Sequence, residues 1–364
     1  MIRLTLPSAR PPLFTLVLLT SVVLLSACGS EPVQAPGKPW HHLSNGEYRN
    51  PEGSAGSAAT FGDMIGFFIR RMGDKPPVVP PEHVIRPEQA RSNYQKLAGK
   101  DSITWLGHAA FLLQLSGKTV LTDPYLTARA GRLGLGPLRF VEPGLSLASL
   151  PPIDIIVVSH NHYDHLDENT IEALPDKQRT HVVVPLGLGE FFSKRGYANV
   201  HERDWFESVS LDGVEVEVLP AIHFSRRGAF DKNRTLWGGF AIRANGKAIF
   251  HSGDTAYGPI FSEIGERAGP FDVALVAIGA YLPASIMETV HITPEEAVRV
   301  VDDVMATSAV GMHWGTVRLT DEDPFEPPQR FFDAASRAQW APNRAWIMKI
   351  GETLPLSDLI ARKN

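Results

Sequence analysis

The chain predicts a layered α/β domain in which helices cover sheets, and three observations carry that prediction. From Asp101 onward, short apolar runs rich in β-branched residues are separated by turn-forming stretches, the signature of strands. Helix-like segments lie between several of these runs, and strands alternating with helices in one long domain imply sheets packed under helices. With 364 residues, 43% hydrophobic and 21% charged, the chain can bury a proper core as one large domain or two ordinary ones.

The strand candidates, in order, are ITWLG, AFLLQL, TVLTDP, IDIIVVS, HVVVP, VEVEVLP, GFAIRA, AIFHSG, DVALVAIG, SAVGMHW and AWIMKI. The clearest helix runs from Pro294 to Met305. Thr293 is its expected N-cap, Pro294 occupies the first helical position, and Glu296 stands where a capping box places it. Met64 to Arg71 can form a short helix, whereas Lys75 to Pro87 carries too many prolines to be other than extended or turn.

Before the domain the texture differs. Arg3 and Arg10 give a positive start, and Leu13 to Leu25 is an apolar run of signal-peptide length, too short for a membrane span. Leu25-Ser26-Ala27-Cys28 resembles the bacterial lipobox, which makes Cys28, the single cysteine of the chain, the expected lipidation site. Gly29 and Ser30 after it imply, by the same resemblance, an outer-membrane address facing the periplasm. The domain plan is therefore a signal at 1–27, a lipidated tether and irregular lead-in at 28–60, and the α/β domain with an N-terminal extension at 61–364. The formal net charge of -5 and the lack of a basic stripe exclude nucleic acid as the expected partner. Oligomeric state is not legible.

Chemistry concentrates after IDIIVVS, in His160-Asn161-His162-Tyr163-Asp164-His165. Neutral imidazoles and carboxylates are natural ligands for zinc-like ions, and a loop leaving a strand end can turn several of them toward one point. His223, Asp254 and His313 follow apolar runs in the same way, and functional groups gather on loops at strand ends. Asp123, in LTDP, reads equally as a turn residue or as an acceptor for a ligand imidazole. His108 and His251 lie in segments near these and are not read as ligands. His41, His42, His83, His181 and His201 have no partner at ligand spacing and read as surface or packing residues. Arg226 and Arg227 can meet a phosphate or brace their own loop.

The HxHxDH run, followed by a His, an Asp and a His, resembles the metallo-β-lactamase superfamily, which implies the αββα four-layer sandwich over roughly 101–353. Carried over by position, His160, His162 and His223 would bind one metal, Asp164, His165 and His313 the other, and Asp254 would bridge them. The implied cofactors are two divalent ions, zinc first, with iron or manganese as alternatives. TWLGHAAFLL, LTDPYLTARAG, SHNHYDHLD, PAIHFSRRGAFDKNRTLWGGF, HITPEEAV and GMHWGT are similar to N-acylphosphatidylethanolamine-hydrolysing phospholipase D and its bacterial relatives, and HHLSNGEYRNPEGS resembles that family's lead-in. The resemblance implies a phospholipase D-type phosphodiesterase acting on a lipid, with a hydroxide shared by the two ions as nucleophile. It makes Asp164 and His291 the candidate catalytic residues, His291 facing substrate. Ala284 and Ser285 depart from the family, which has bulky and basic residues there. The alternatives are a lactonase or small phosphodiester hydrolase on the same ligands, and a non-catalytic envelope lipoprotein.

Overall fold

The structure, a computed structural model, describes residues 32–54, 60, 62, 63, 66, 67, 76–131 and 136–360. The signal, Cys28 and most of the Met64–Arg71 helix lie outside the described residues. Among the described residues no helix is long and apolar enough to cross a membrane.

One sheet is built from β1 Ser102–Gly107, β2 Ala110–Leu115, β3 Lys118–Thr122, β4 Ile155–Val157, β5 His181–Pro185, β6 Asn199–Arg203 and β14 Thr353–Pro355, in the order β14-β1-β2-β3-β4-β5-β6. The other is built from β7 Glu207–Leu211, β8 Val214–Leu219, β9 Gly239–Ala244, β10 Lys247–His251, β11 Phe271–Ala277, β12 Ala306–Met312 and β13 Ala345–Trp346, in the order β13-β12-β11-β10-β9-β8-β7. Pairing is parallel from β3 to β6 and from β10 to β13, and antiparallel elsewhere.

Successive side chains on a strand point to opposite faces, and here both faces are covered. Phe111, Leu113, Val157 and Val183 face the seam between the sheets, with Val216, Val218, Phe240 and Ile242 from the other sheet in the same core. Their neighbours Leu112, Ile156, Val182 and Val184 join a second core. That core also takes Ala90 of α1 (Pro87–Lys96), Ile171 of α2 (Glu168–Ala173) and Phe192 of α3 (Gly189–Ser193). The opposite outer layer is α4 (Ile260–Ala268), α6 (Pro294–Asp303) and α7 (Pro327–Arg337), which bury Ile264, Val300 and Phe331. The layers run helix, sheet, sheet, helix, as the sequence implied. Burying each large apolar side chain contributes roughly 1.5–3 kcal/mol, enough in sum for the sheets to hold strained loops at their ends.

Where the structure departs from the sequence reading, edges are the reason. The strands β6, β7 and β14 were not legible, because NVHER and ESVSL are polar edge strands and TLP is three residues long. AWIMKI contributes only Ala345–Trp346 as strand. The predicted helix forms as Pro294–Asp303 with the full capping box: Glu296 N–H donates to Thr293 Oγ1 at 3.2 Å and Thr293 N–H to Glu296 Oε2 at 2.9 Å. The larger compact unit starts at Gln34 and takes in the described residues of the irregular lead-in. Residues 34–48 are tied by the bridges Gln34↔Leu43 and His42↔Tyr48.

Candidate metal centre

Both sheets deliver their donors at the carboxyl ends of strands. The loop after β4 carries His160 to His165, His223 follows β8, Asp254 follows β10 and His313 comes directly after β12. Open parallel sheets place ligand-binding loops at such ends, and here the two sheets do so side by side. Gly253 is what lets Asp254 reach the centre. Its φ is +58°, and a Cβ there would lie 2.5 Å from the Gly238 carbonyl oxygen. His108 (φ 56°), Asp123 (φ 36°) and His313 (φ 65°) are also left-handed, the kind of backbone strain that clusters at functional sites.

All seven expected ligands come together. His160, His162 and His223 form one group: His160 Nε2 is 2.8 Å from His162 Nδ1, and His223 Nε2 is 3.2 Å from the same atom. Asp164, His165 and His313 form a second, with His165 Nε2 and His313 Nε2 at 3.6 and 3.8 Å from Asp164 Oδ2. Asp254 lies between them. Its Oδ2 is 3.1 Å from His165 Nε2 and 3.9 Å from both His160 Nε2 and His223 Nε2, while its Oδ1 is 3.1 Å from His313 Nε2.

These contacts do not satisfy the atoms that make them. His165 Nε2, His313 Nε2 and Asp254 Oδ1 are buried without a hydrogen-bond partner. Buried polar atoms are normally paired, so converging ring nitrogens and a carboxylate oxygen left open mark a place for cations. Protonation states agree for the first group, whereas in the second burial pulls His165 down but the carboxylates of Asp254, Asp164 and Asp123 hold it well above the usual histidine range. Burial first, then the charges of neighbouring histidines, hold His160 far below the usual histidine range and His162 at about 3, and burial holds His223 at about 4. Those imidazoles are unprotonated at neutral pH and ready to ligate. Burial opposes ionisation of Asp164 and Asp254, yet His165 and the other nearby imidazoles keep both carboxyls well below their usual range.

The outer nitrogens of the ligands are held as well. His165 Nδ1 is 2.8 Å from Asp123 Oδ2, His160 Nδ1 is 2.9 Å from Ser159 Oγ, and His223 Nδ1 donates to the Val290 carbonyl at 2.8 Å. Asp123 is thus an acceptor for a ligand imidazole and not merely a turn residue. It also takes the Ser159 N–H and hydroxyl, each at 2.7 Å. Such partners fix ring orientation and raise ligand basicity.

His291 sits over Asp254, with its Nδ1 buried, unpartnered and 4.0 Å from Oδ2. It groups with His223 and Asp254 rather than with either triad. Ala284 and Ser285 open the one-turn helix α5 (Ala284–Met287) and are exposed. His251 donates or accepts only to backbone, at Ala109 and Gly253, and is structural. Arg227 braces its loop: Nη1 donates to the carbonyls of Asn161 and Leu166 at 3.0 and 2.7 Å, and its guanidinium stacks over Tyr163. Arg226 donates its N–H to Asn161 Oδ1.

Two features escaped the sequence reading. His108 Nε2 lies 2.9 Å from Asp164 Oδ2 and its ring packs 3.9 Å from His313, so it belongs to the second group. Its signal was weak, a lone histidine after a strand. His41 and His42 are packing residues, as read, but they also have a partner. Their Nε2 atoms meet Asp204 Oδ1 at 2.6 Å and Oδ2 at 2.7 Å, a pairing across more than 160 residues that spacing could not reveal. The other three keep the structural reading: His83 Nε2 lies 2.7 Å from the Gly315 carbonyl, and His181 Nδ1 is 3.0 Å from His201 Nε2 across β5 and β6.

A four-layer sandwich with seven His and Asp donors at paired sheet ends defines a candidate metal centre. A family profile described as "Beta-lactamase superfamily domain" matches residues 118–314, and the chain belongs to that superfamily. It is 40% identical over 248 residues to an uncharacterized protein of Mycobacterium tuberculosis, the match covering 66% of each chain, so it spans just under two thirds of that relative's length. It is 36% identical over 269 residues to the N-acyl-phosphatidylethanolamine-hydrolyzing phospholipase D 1 of Caenorhabditis elegans, covering 70% of this chain and 76% of that one. Among solved structures, isothiocyanate hydrolase from Delia radicum gut bacteria shares the fold, with a TM-score of 0.55 at 19% identity over 70% of this chain and 98% of that one.

Proposed function

We propose that this metal-dependent hydrolase is a phosphodiesterase of the phospholipase D type, acting on N-acylphosphatidylethanolamine-like lipids. One observation carries the reading: Asp254 faces donors of both triads at once, with one oxygen toward His313 and the other toward His165, His160 and His223. That arrangement suits two divalent ions, zinc above all, with His160, His162 and His223 on one and Asp164, His165 and His313 on the other. Ions so held would bring the pKa of water toward neutrality and offset charge on a phosphoryl group during in-line attack. The relative in Caenorhabditis elegans supports the lipid phosphodiester as substrate.

The chain's own residues then have definable tasks. Asp164 and Asp254 supply the negative charge that balances the cations, and Asp123 through His165 and Val290 through His223 keep the imidazoles aimed inward. His291, which burial holds well below the usual histidine range, keeps an open ring nitrogen beside the bridge, where as a neutral imidazole it can orient a phosphoryl oxygen or the leaving group. The lipobox-like Leu25 to Cys28 supports a lipid-anchored place in the cell envelope, on the periplasmic side of the outer membrane, where such a substrate is at hand.

The fold by itself does not choose the reaction, since an isothiocyanate hydrolase shares it. The competing reading is therefore a lactonase or small phosphodiester hydrolase on the same ligands. Zinc-loaded protein assayed on long-chain N-acylated phosphatidylethanolamine, lactones and bis(4-nitrophenyl) phosphate separates them. The proposal expects the lipid to be hydrolysed with the highest kcat/KM; preference for a lactone overturns it.

A further inference from the structure

We infer that the lead-in at 41–50, which lies outside the matched family region, is a working part of the metal centre, with Asn50 as a positioning residue for His223. The inference rests on His223 being a metal ligand, as proposed above.

His223 is the one ligand of the first triad that comes from the second sheet, on a loop that runs on through residue 234. Between 224 and 238 the chain forms no helix or strand. The loop is held by side-chain and turn bonds, Asn233 N–H to the Ser225 carbonyl and Arg226 and Arg227 to Asn161 among them, to which the lead-in adds its own. The lead-in holds it at three points. Asn50 Oδ1 accepts the His223 N–H at 2.9 Å and the Trp237 indole N–H at 3.0 Å, so one amide oxygen ties the ligand's backbone to a buried tryptophan. Tyr48 N–H donates to the Asn233 carbonyl at 2.9 Å. Arg234 Nη1 donates to the Asn45 carbonyl at 2.7 Å.

The lead-in is in turn fixed to the sandwich. His41 and His42 share the Asp204 carboxylate, one ring on each oxygen, and His41 stacks on Trp205 at 4.3 Å between centroids. Arg49 N–H closes back on the His41 carbonyl at 3.0 Å. The path is therefore short and continuous: Asp204 anchors His41 and His42, the turn through 45–49 is closed on His41, and Asn50 delivers an acceptor to His223. Without that acceptor the His223 N–H would have to find another partner, and the ring would keep only its Nδ1 bond to the Val290 carbonyl to fix its distance to His160 and His162. Partners on the outer ring nitrogen of a ligating histidine typically matter about 10- to 100-fold in affinity or activity. Asn50 acts one step further out, on the His223 backbone, so its effect should be smaller.

The test compares Asn50→Ala with Asn50→Asp in the full chain. Zinc affinity is read by competition with a chelator, geometry by the visible spectrum of the cobalt(II)-substituted protein, and folding by thermal unfolding. Asn50→Ala should raise the zinc dissociation constant by up to about 10-fold, the low end of the range for ring-nitrogen partners, and alter the cobalt spectrum, while Asn50→Asp, which keeps an acceptor oxygen, restores both. Unchanged zinc affinity and cobalt spectrum in Asn50→Ala, with only a lower Tm, overturns the inference and leaves Asn50 a structural tie. If Asn50→Ala does not fold, Asn50→Ser, whose shorter side chain withdraws the oxygen from His223, gives the same two readings. Wild-type protein that takes up no zinc would instead refute the metal-centre reading, an outcome separate from these.

Discussion

Asp123 Oδ2 lies 2.8 Å from His165 Nδ1, and both side chains are fully buried. The carboxylate also holds Ser159, whose hydroxyl touches His160 Nδ1, so one aspartate aligns ligands of both groups. Asp123→Ala should lower metal affinity by about 10- to 100-fold, the usual cost of losing such a partner. Chelator competition measures it. An unchanged affinity would reduce Asp123 to a turn residue with an incidental contact.

His291 separates substrate chemistry from metal binding. It faces Asp254 from 4.0 Å but belongs to neither triad. His291→Ala should keep the metal content of wild type while kcat on the lipid falls by ~10² to 10⁴, the scale of a lost group that orients the reacting atoms. Loss of a metal equivalent would make it a ligand. Undiminished lipid hydrolysis would remove it from the mechanism.

The metal-free protein should be acid-sensitive in a defined window. His162 and His223, held at about 3 and about 4, are neutral in the fold but take up protons in the unfolded chain below 6.5. The unfolded state then binds more protons, so stability falls as pH drops from 6.5 toward 4, by ~1.4 kcal/mol per pH unit for each such group. His165 behaves oppositely. Burial pulls its pKa down, but Asp254, Asp164 and Asp123 carry it well above 6.5, so its contribution is complete below 6.5 and adds no slope there. Urea midpoints of chelator-treated protein should decline between pH 6.5 and 5; a flat or rising midpoint contradicts the assignment.

Cys28→Ala should release the protein from membranes without unfolding the domain, because the compact unit begins only at Gln34. Cell fractionation decides it. A variant that still sediments with the outer membrane after a salt wash defeats the lipid-anchor proposal.

The sandwich was legible in the sequence because most strands are buried on both faces and read as unbroken apolar runs, AFLLQL being the extreme. Polar edge strands such as Asn199–Arg203 give no such signal. The seven donors were legible because His160, His162, Asp164 and His165 crowd one loop and the resemblance supplied the rest. What stayed hidden depends on contacts distant in sequence. His108 meets Asp164 across 56 residues, Asn50 meets His223 across 173, and neither carries a local pattern.

The most direct test of the central claim is metal stoichiometry. Elemental analysis after zinc loading and removal of excess should find two ions per wild-type chain, and fewer in Asp254→Ala, whose lost carboxylate faces both groups. Hydrolysis should vanish in that variant. A wild-type chain that holds no tightly bound metal, or an Asp254→Ala chain with two ions and a near-normal rate, would contradict the account.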